Sequence, residues 1–389
     1  MVSNIGTWMQ RTAQDWLVLT QLTHNNGAAV GVVMALQFGP PALLLPLTGY
    51  AADRLDRRKL LLATQASAGV LALGLGILTV TGLVRLWHVY GFALLLGCVT
   101  AFDGPARQTF VSALVSEEEL SNAVALNSTS FNAARLIGPA VAGVLIASVG
   151  TGWVFVINAL SFVAVLASLS LLRKGELRSR VPAAPARDGL AQGFRYVWQR
   201  RDLKAALLML FLIGTFGLNF PIFISTMSVS VFHRGAGTYG LLTSTMAVGS
   251  VVGALLSARR ARPRTTLLRA GAALFGVGLT AAALMPSYVL FGAALVLVGV
   301  AAQTFTTTAN GAIQLGTDPA MRGRVMAIFM AIALGGTPVG APVVGWVADT
   351  FGPRWALGVG AAAGFVAALV GLFYGEQPSS SNLIHSKAS

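Results

Sequence analysis

Charge is what this sequence has least of, and acidic charge above all. Asp and Glu number 13 among 389 residues, and charged residues make up 10% of the chain, where an ordinary soluble domain carries about 25%. Cysteine is reduced to Cys98, inside an apolar run, so no intrachain disulfide can form. Histidine occurs four times; His24, His88 and His233 fall at the ends of apolar runs, without the spacing of metal ligands. There is no phosphate loop, nucleotide-binding cassette or Ser-His-Asp grouping. The sequence therefore offers no catalytic residue, no metal site and no cofactor site, and an enzyme is not expected.

What it has in quantity is apolar sequence. Hydrophobic residues reach 55%, with 44 Gly and 15 Pro scattered through apolar runs, as membrane helices tolerate. Mean hydropathy is +0.72. A net charge of +14 would suit nucleic acid, but the bases sit in short clusters between runs of roughly 20 residues, the length that crosses a bilayer. Lipid, and not nucleic acid, is the expected partner. Twelve such segments can be drawn, near 4–22, 29–51, 61–82, 88–114, 121–148, 152–172, 205–230, 237–257, 267–285, 287–314, 324–347 and 355–374. The expected fold is an all-α membrane protein of twelve transmembrane helices in two six-helix halves. These are residues 1–172 and 205–375, with a polar linker at 173–204 and a tail at 376–389. Loops after the even-numbered segments, with the linker and tail, hold 21 of the 27 Lys and Arg. The alternate loops hold three, Arg85, Arg234 and Arg354. The positive-inside rule places linker, tail and both termini in the cytoplasm of a cell whose inner membrane holds the chain.

An internal repeat supports the division. A shift of 202 residues brings Gly138, Gly143, Gly150 and Trp153 onto Gly340, Gly345, Gly352 and Trp355, aligning "GPAVAGVLIASVGTGW" with "GAPVVGWVADTFGPRW". Segments 5 and 11 are then equivalent and parallel, as in transporters built from two parallel repeats with substrate between them. Chance similarity of glycine-rich helices is the alternative.

Six charges crowd into "GYAADRLDRRKL", residues 49–60. The stretch resembles the loop 2–3 signature of the major facilitator superfamily: Gly49, then Asp53 and Arg54 four residues on, then the bases Arg57 and Arg58. Asp56 stands where the family usually has glycine. With "RTAQDWLVL", "FDGPARQTFV" and "NAVALNSTSFNAARLIGPAVAG", it is similar to a bacterial branch that includes the enterobactin exporter and related drug:proton antiporters. The resemblance spans nearly the whole chain. It implies that Asp53 meets the N-terminal end of a helix in the other half and stabilises an outward-open state, a helix-dipole contact. Read as residues alone, the bases anchor a short turn to the anionic leaflet, and a merely solvated charge run is the alternative. Gly138, Pro139 and Gly143 resemble the segment-5 motif of antiporters in the superfamily; physically they thin and kink one helix face for close packing.

Five ionisable groups lie within segments, where charge is costly and marks function by default: Arg11, Asp15, Asp103, Arg107 and Arg135. Arg11 and Asp15 are four apart, as are Asp103 and Arg107, so each pair shares a helix face. Asp103 and Arg135 lie at about equal helical distance, roughly 23–25 Å, from the loop between segments 4 and 5, and are expected to pair. Asp15 is about 14 Å of helix from the loop at His24, near the middle of a ~30 Å core, and is the acid expected to exchange a proton. Internal neutralisation that only fixes helix packing is the alternative for all five. Asn219, Gln303 and Asn310 are further cavity candidates, with Trp16, Phe38, Phe216, Phe220 and Phe223 as an aromatic wall. Against segment 7, segment 1 is short before the corresponding region, so a first helix truncated at its N-terminus is expected.

The function these features imply is secondary active export of small amphipathic compounds, drug- or siderophore-like, by proton antiport through alternating access. An uptake permease of the same fold and a non-transporting membrane sensor are the alternatives. The expected partners are a small-molecule substrate, protons and the lipid bilayer, with the chain acting as a monomer.

Overall fold

The computed structural model describes residues 1–44, 47–48, 55–116, 118–172, 189–258 and 265–374. The elements are α1 (Val2–Trp16), running into a π-helical turn at Leu17–Leu22, α2 (Gly27–Leu43), α3 (Arg57–Val80), α4 (Leu86–Leu114), α5 (Leu120–Val149) and α6 (Thr151–Leu171). After the connector come α7 (Gly189–Gln199), α8 (Arg201–Leu212), α9 (Phe220–Thr226), α10 (Ala236–Ala258), α11 (Thr265–Leu284), α12 (Tyr288–Gly316), α13 (Arg322–Phe351) and α14 (Pro353–Tyr374). Among the described residues, 10 stretches are long and apolar enough to cross a membrane, one of them running through α8 and α9 as Arg201–Val231. Against the twelve drawn from the sequence, α2 is apolar but shorter.

Local chemistry sets the ends. Asp56 Oδ1 accepts from the backbone N–H groups of Arg58 (2.9 Å) and Lys59 (3.2 Å) at the start of α3, the work of an N-cap. The residue that departs from the family's glycine thus has a local role. Gly150 and Gly352, which close α5 and α13, have φ of 90° and 101°, the left-handed region glycine enters at no steric cost. These two turns are related by the 202-residue shift.

The connector is not all loop. Within it, α7 lies against α13, with Gly193 facing Arg324 and Ile328, Val197 buried, and Tyr196 donating to Asp318 Oδ2 at 2.9 Å. The run "GLAQGFRYVWQ" is amphipathic enough to have been legible, but the basic residues around it mark it first as a loop.

The helices related by the repeat make the same contact twice. α5 packs on α10 and α13 on α2. A Cβ on Gly240 would meet the Pro139 carbonyl oxygen; one on Gly31 would meet that of Ala341, the residue 202 positions after Pro139. Gly143 lies against Ala236 and Gly237 at the start of α10, and Gly345 against Gly27 and Ala28 at the start of α2. Small residues let the backbones approach so closely. Both seams sit at the end of the bundle that carries the Gly150 and Gly352 turns, away from the basic loops.

One side chain breaks the symmetry. Asp349, on α13, accepts from Gly27 N at 2.6 Å and Ala28 N at 2.8 Å, placing a carboxylate on the N-terminus of α2; Ala147 is its counterpart in the first repeat. A cap of this kind contributes about 0.5–2 kcal/mol. Asp349→Ala is expected to loosen the α2–α13 seam. Thr226 is buried beside Gly27, so Thr226→Cys in a Cys98→Ser background reports opening. Maleimide labelling in detergent should accelerate roughly 2- to 30-fold, the factor that about 0.5–2 kcal/mol commands. An unchanged rate would mean the carboxylate does not hold the helices together.

Candidate functional site

The five intramembrane charges fall into two adjoining clusters. In the first, Asp103 on α4 is buried and fully engaged: its Oδ1 accepts from Thr64 Oγ1 (2.9 Å) and Gln65 Nε2 (2.6 Å) on α3, and its Oδ2 from Arg107 (2.7 Å). Arg107 also donates to Asn4 Oδ1 on α1 at 2.8 Å. These groups border a cavity of about 410 Å³, whose α5 wall carries Asn127, Ser128 and Asn132.

The second cluster surrounds a cavity of about 190 Å³ where α1, α2 and α5 face α10, α13 and the stretch 218–221. Asp15, 8% exposed, accepts at Oδ2 from the Tyr239 hydroxyl of α10 at 3.3 Å. Trp16 stacks on the Tyr239 ring, centroids 5.9 Å apart. The Arg11 guanidinium lies over the rings of Trp8 (5.1 Å) and Phe38 (5.3 Å). Arg135 donates to Ser250 Oγ of α10 at 3.2 Å. Trp8 and Arg11 border both cavities, so a single layer of side chains separates the clusters.

The expected Asp103–Arg135 pair does not form. Depth along two successive helices leaves their rotation free, and α4 packs on α2 and α3 whereas α5 packs on α1 and α10. Asp103 therefore turns to α3 and its own Arg107, and Arg135 to Ser250. Gly138 lies against Trp8 of α1, while Pro139 and Gly143 form the α10 seam. At the basic end, Arg58 donates to the Leu169 and Ser170 carbonyls near the end of α6 (2.9 and 2.8 Å), neutralising the negative end of that helix. Arg57 opens α3; Gly49, Asp53 and Arg54 lie outside the described residues.

Other candidates take different places. Asn219 is buried and donates to the Thr215 carbonyl at 2.7 Å, satisfying backbone that the break between α8 and α9 leaves free. Gln303 donates to Thr307 on its own helix at 3.1 Å, and Asn310 is exposed; none of the three borders either cavity. Of the aromatic candidates, Phe38 and Phe220 border the junction cavity, Trp16 backs it through Tyr239, Phe223 is buried in the core, and Phe216 packs against that core. Sequence reasoning passed over Trp8, Gln37 and Tyr239. For Gln37 a signal existed, an amide inside an apolar segment; for Tyr239, 224 residues from Asp15, there was none.

A helical bundle with apolar exteriors, two packed repeats and a polar cavity at their junction defines a polytopic membrane transporter. Solved structures have the same fold. A bacterial homologue of the human lysosomal transporter Spinster, inward-facing and unoccupied, superposes with a TM-score of 0.72 at 15% identity, over 97% of this chain and 98% of that one. A POT family transporter in complex with 5-aminolevulinic acid gives 0.77 at 10% identity, over 96% and 95%. Both share this chain's fold over nearly their whole length. Residues 1–388 match the transmembrane secretion effector family of the major facilitator superfamily, and the chain belongs to it. It is 26% identical over 356 residues to the staphyloferrin A transporter of Staphylococcus aureus (strain NCTC 8325 / PS 47), covering 90% of this chain and 87% of the relative. It is also 26% identical to the multidrug efflux pump Tap of Mycolicibacterium fortuitum (90% and 88%) and to the enterobactin exporter of Shigella flexneri (91% and 84%). The protein is a multi-pass membrane transporter and not an enzyme.

Proposed function

We propose that this chain exports small amphipathic compounds, drug- or siderophore-like, by proton antiport, alternating access to one cavity between two six-helix halves. Twelve spans, cytoplasmic termini and a monomeric unit complete the reading. The observation that carries it is the Asp15–Tyr239 hydrogen bond across the junction cavity: an acid from α1 meets a hydroxyl from α10 where the two repeats join. A proton bound or lost there changes what holds the repeats together, which is what coupling requires. Export, as against uptake, is supported by the relatives named for efflux and export. Efflux of a panel of amphipathic compounds from an efflux-deficient host tests the reading, with and without an uncoupler. Energy-dependent efflux that collapses with the uncoupler is expected; efflux indifferent to it would remove proton coupling.

The loop 2–3 signature belongs to the same proposal. The Asp53→Asn variant is expected to insert normally, since the neighbouring bases still set topology, but to transport poorly, since only the acid would serve the helix-end contact that the family resemblance implies. Transport at the parental level, with the protein present in the membrane, would reduce the stretch to a topology anchor.

A further inference from the structure

The charges at mid-membrane depth do not balance. Arg11, Arg107 and Arg135 stand against Asp15 and Asp103, and the charged residues of the second repeat lie at helix ends or in the segments between helices. Asp103 and Arg107 close on each other at 2.7 Å. That leaves Arg11 and Arg135 facing Asp15 alone, an excess of one cation around the junction cavity. An uncompensated charge in a bilayer is expensive, and a transporter tolerates it where something else completes the site.

The hydrogen bonds are unbalanced in the same direction. Arg11 Nε is buried without an acceptor, and so is Nε2 of Gln37, which is 6% exposed and borders the same cavity. Arg135 donates once, to a hydroxyl, although a guanidinium carries five N–H donors. The cavity thus presents surplus donors and surplus positive charge. Beside them Phe38 and Phe220 supply apolar ring surface.

We propose that this cavity selects amphipathic anions: Arg135, Arg11 and Gln37 hold a carboxylate or similar planar oxyanion, and Phe38 and Phe220 receive the apolar body. A planar two-oxygen anion matches the guanidinium fork, and charge-assisted bonds of this kind are the strong ones. Asp15 competes with the substrate for the same cations. This deepens the export reading and rests on it only for the word substrate, since recognition is an equilibrium property independent of direction and of coupling.

The test is binding to purified protein in lipid nanodiscs, without any gradient, using three radiolabelled probes of one shape: 2-naphthoate, neutral 2-naphthamide and cationic 2-naphthylmethylammonium. Naphthoate is expected to bind saturably and more tightly than the other two. Arg135→Gln should weaken it roughly 10- to 150-fold, the range for a hydrogen bond to a charged group, while leaving the amide little changed. Arg135→Lys should recover part of the loss, and Asp15→Asn should tighten naphthoate by removing its competitor. The ratio of anion to cation binding within one variant is unaffected by the amount of folded protein. No saturable naphthoate binding, equal or tighter binding of the ammonium probe, or an anion-to-cation ratio unmoved by Arg135→Gln would each overturn the proposal. A failed efflux assay beside selective naphthoate binding would sink the export reading and leave the anion site standing.

Discussion

Reconstituted vesicles carrying Asp15→Asn will still exchange substrate down its gradient, but will no longer concentrate it when a pH step is imposed. Asp15 is the one carboxylate bordering the junction cavity among the described residues. Asparagine keeps an oxygen for the Tyr239 hydroxyl, so the cross-junction hydrogen bond survives while the capacity to take and release a proton is gone. The expected loss is complete for accumulation and small for downhill flux. The split between these two fluxes is the diagnostic, because a variant that is merely unstable loses both together. A variant that still accumulates substrate would remove Asp15 from coupling and pass the question to Asp103.

The second large effect is on stability, at the Asp103 cluster. Asp103→Leu removes the acceptor that Thr64, Gln65 and Arg107 share. Thr64 keeps the Leu61 carbonyl and Arg107 its bond to Asn4, but the Gln65 amide loses its acceptor and Arg107 its counter-charge. Breaking a buried pair from one side costs about 3–5 kcal/mol in a protein interior. The Arg107 side chain is 37% exposed at the cavity, which puts the expected loss at the lower end. Arg107→Leu should cost less, since Asp103 keeps two neutral donors. The double variant should recover part of the loss seen with Asp103→Leu alone. Melting temperatures in detergent, read by fluorescence-detected size exclusion, measure all three. Strict additivity of the two single losses would mean that the ion pair contributes nothing of its own.

The correction at this site shows where sequence reasoning stops. Helical rise put Asp103 and Arg135 at similar distances from the loop between α4 and α5, and four-residue spacing gave the Asp103–Arg107 pair that the structure contains. The pairing across helices needed rotation about each axis and the identity of the true neighbours, and neither is a local property. The same limit hid Tyr239, which is an ordinary tyrosine until α10 is folded against α1.

What the sequence determined by itself is whatever is written locally or repeated. Apolar length against the thickness of a bilayer set the membrane helices. Asp56, Gly150 and Gly352 set helix ends, and the 202-residue echo marked which helices would make equivalent contacts. Five charges in apolar segments marked where buried polar contacts had to form. Tertiary structure alone decided what those charges meet: Asp15 with Tyr239, Arg11 over Trp8 and Phe38, Arg135 with Ser250, and Asp349 on the start of α2. The physical reason is range. Hydrophobic periodicity and capping act over one or two turns of chain, whereas a buried polar group takes its partner from whichever helix is nearest in space, and that neighbour is fixed by the packing of small residues hundreds of positions away.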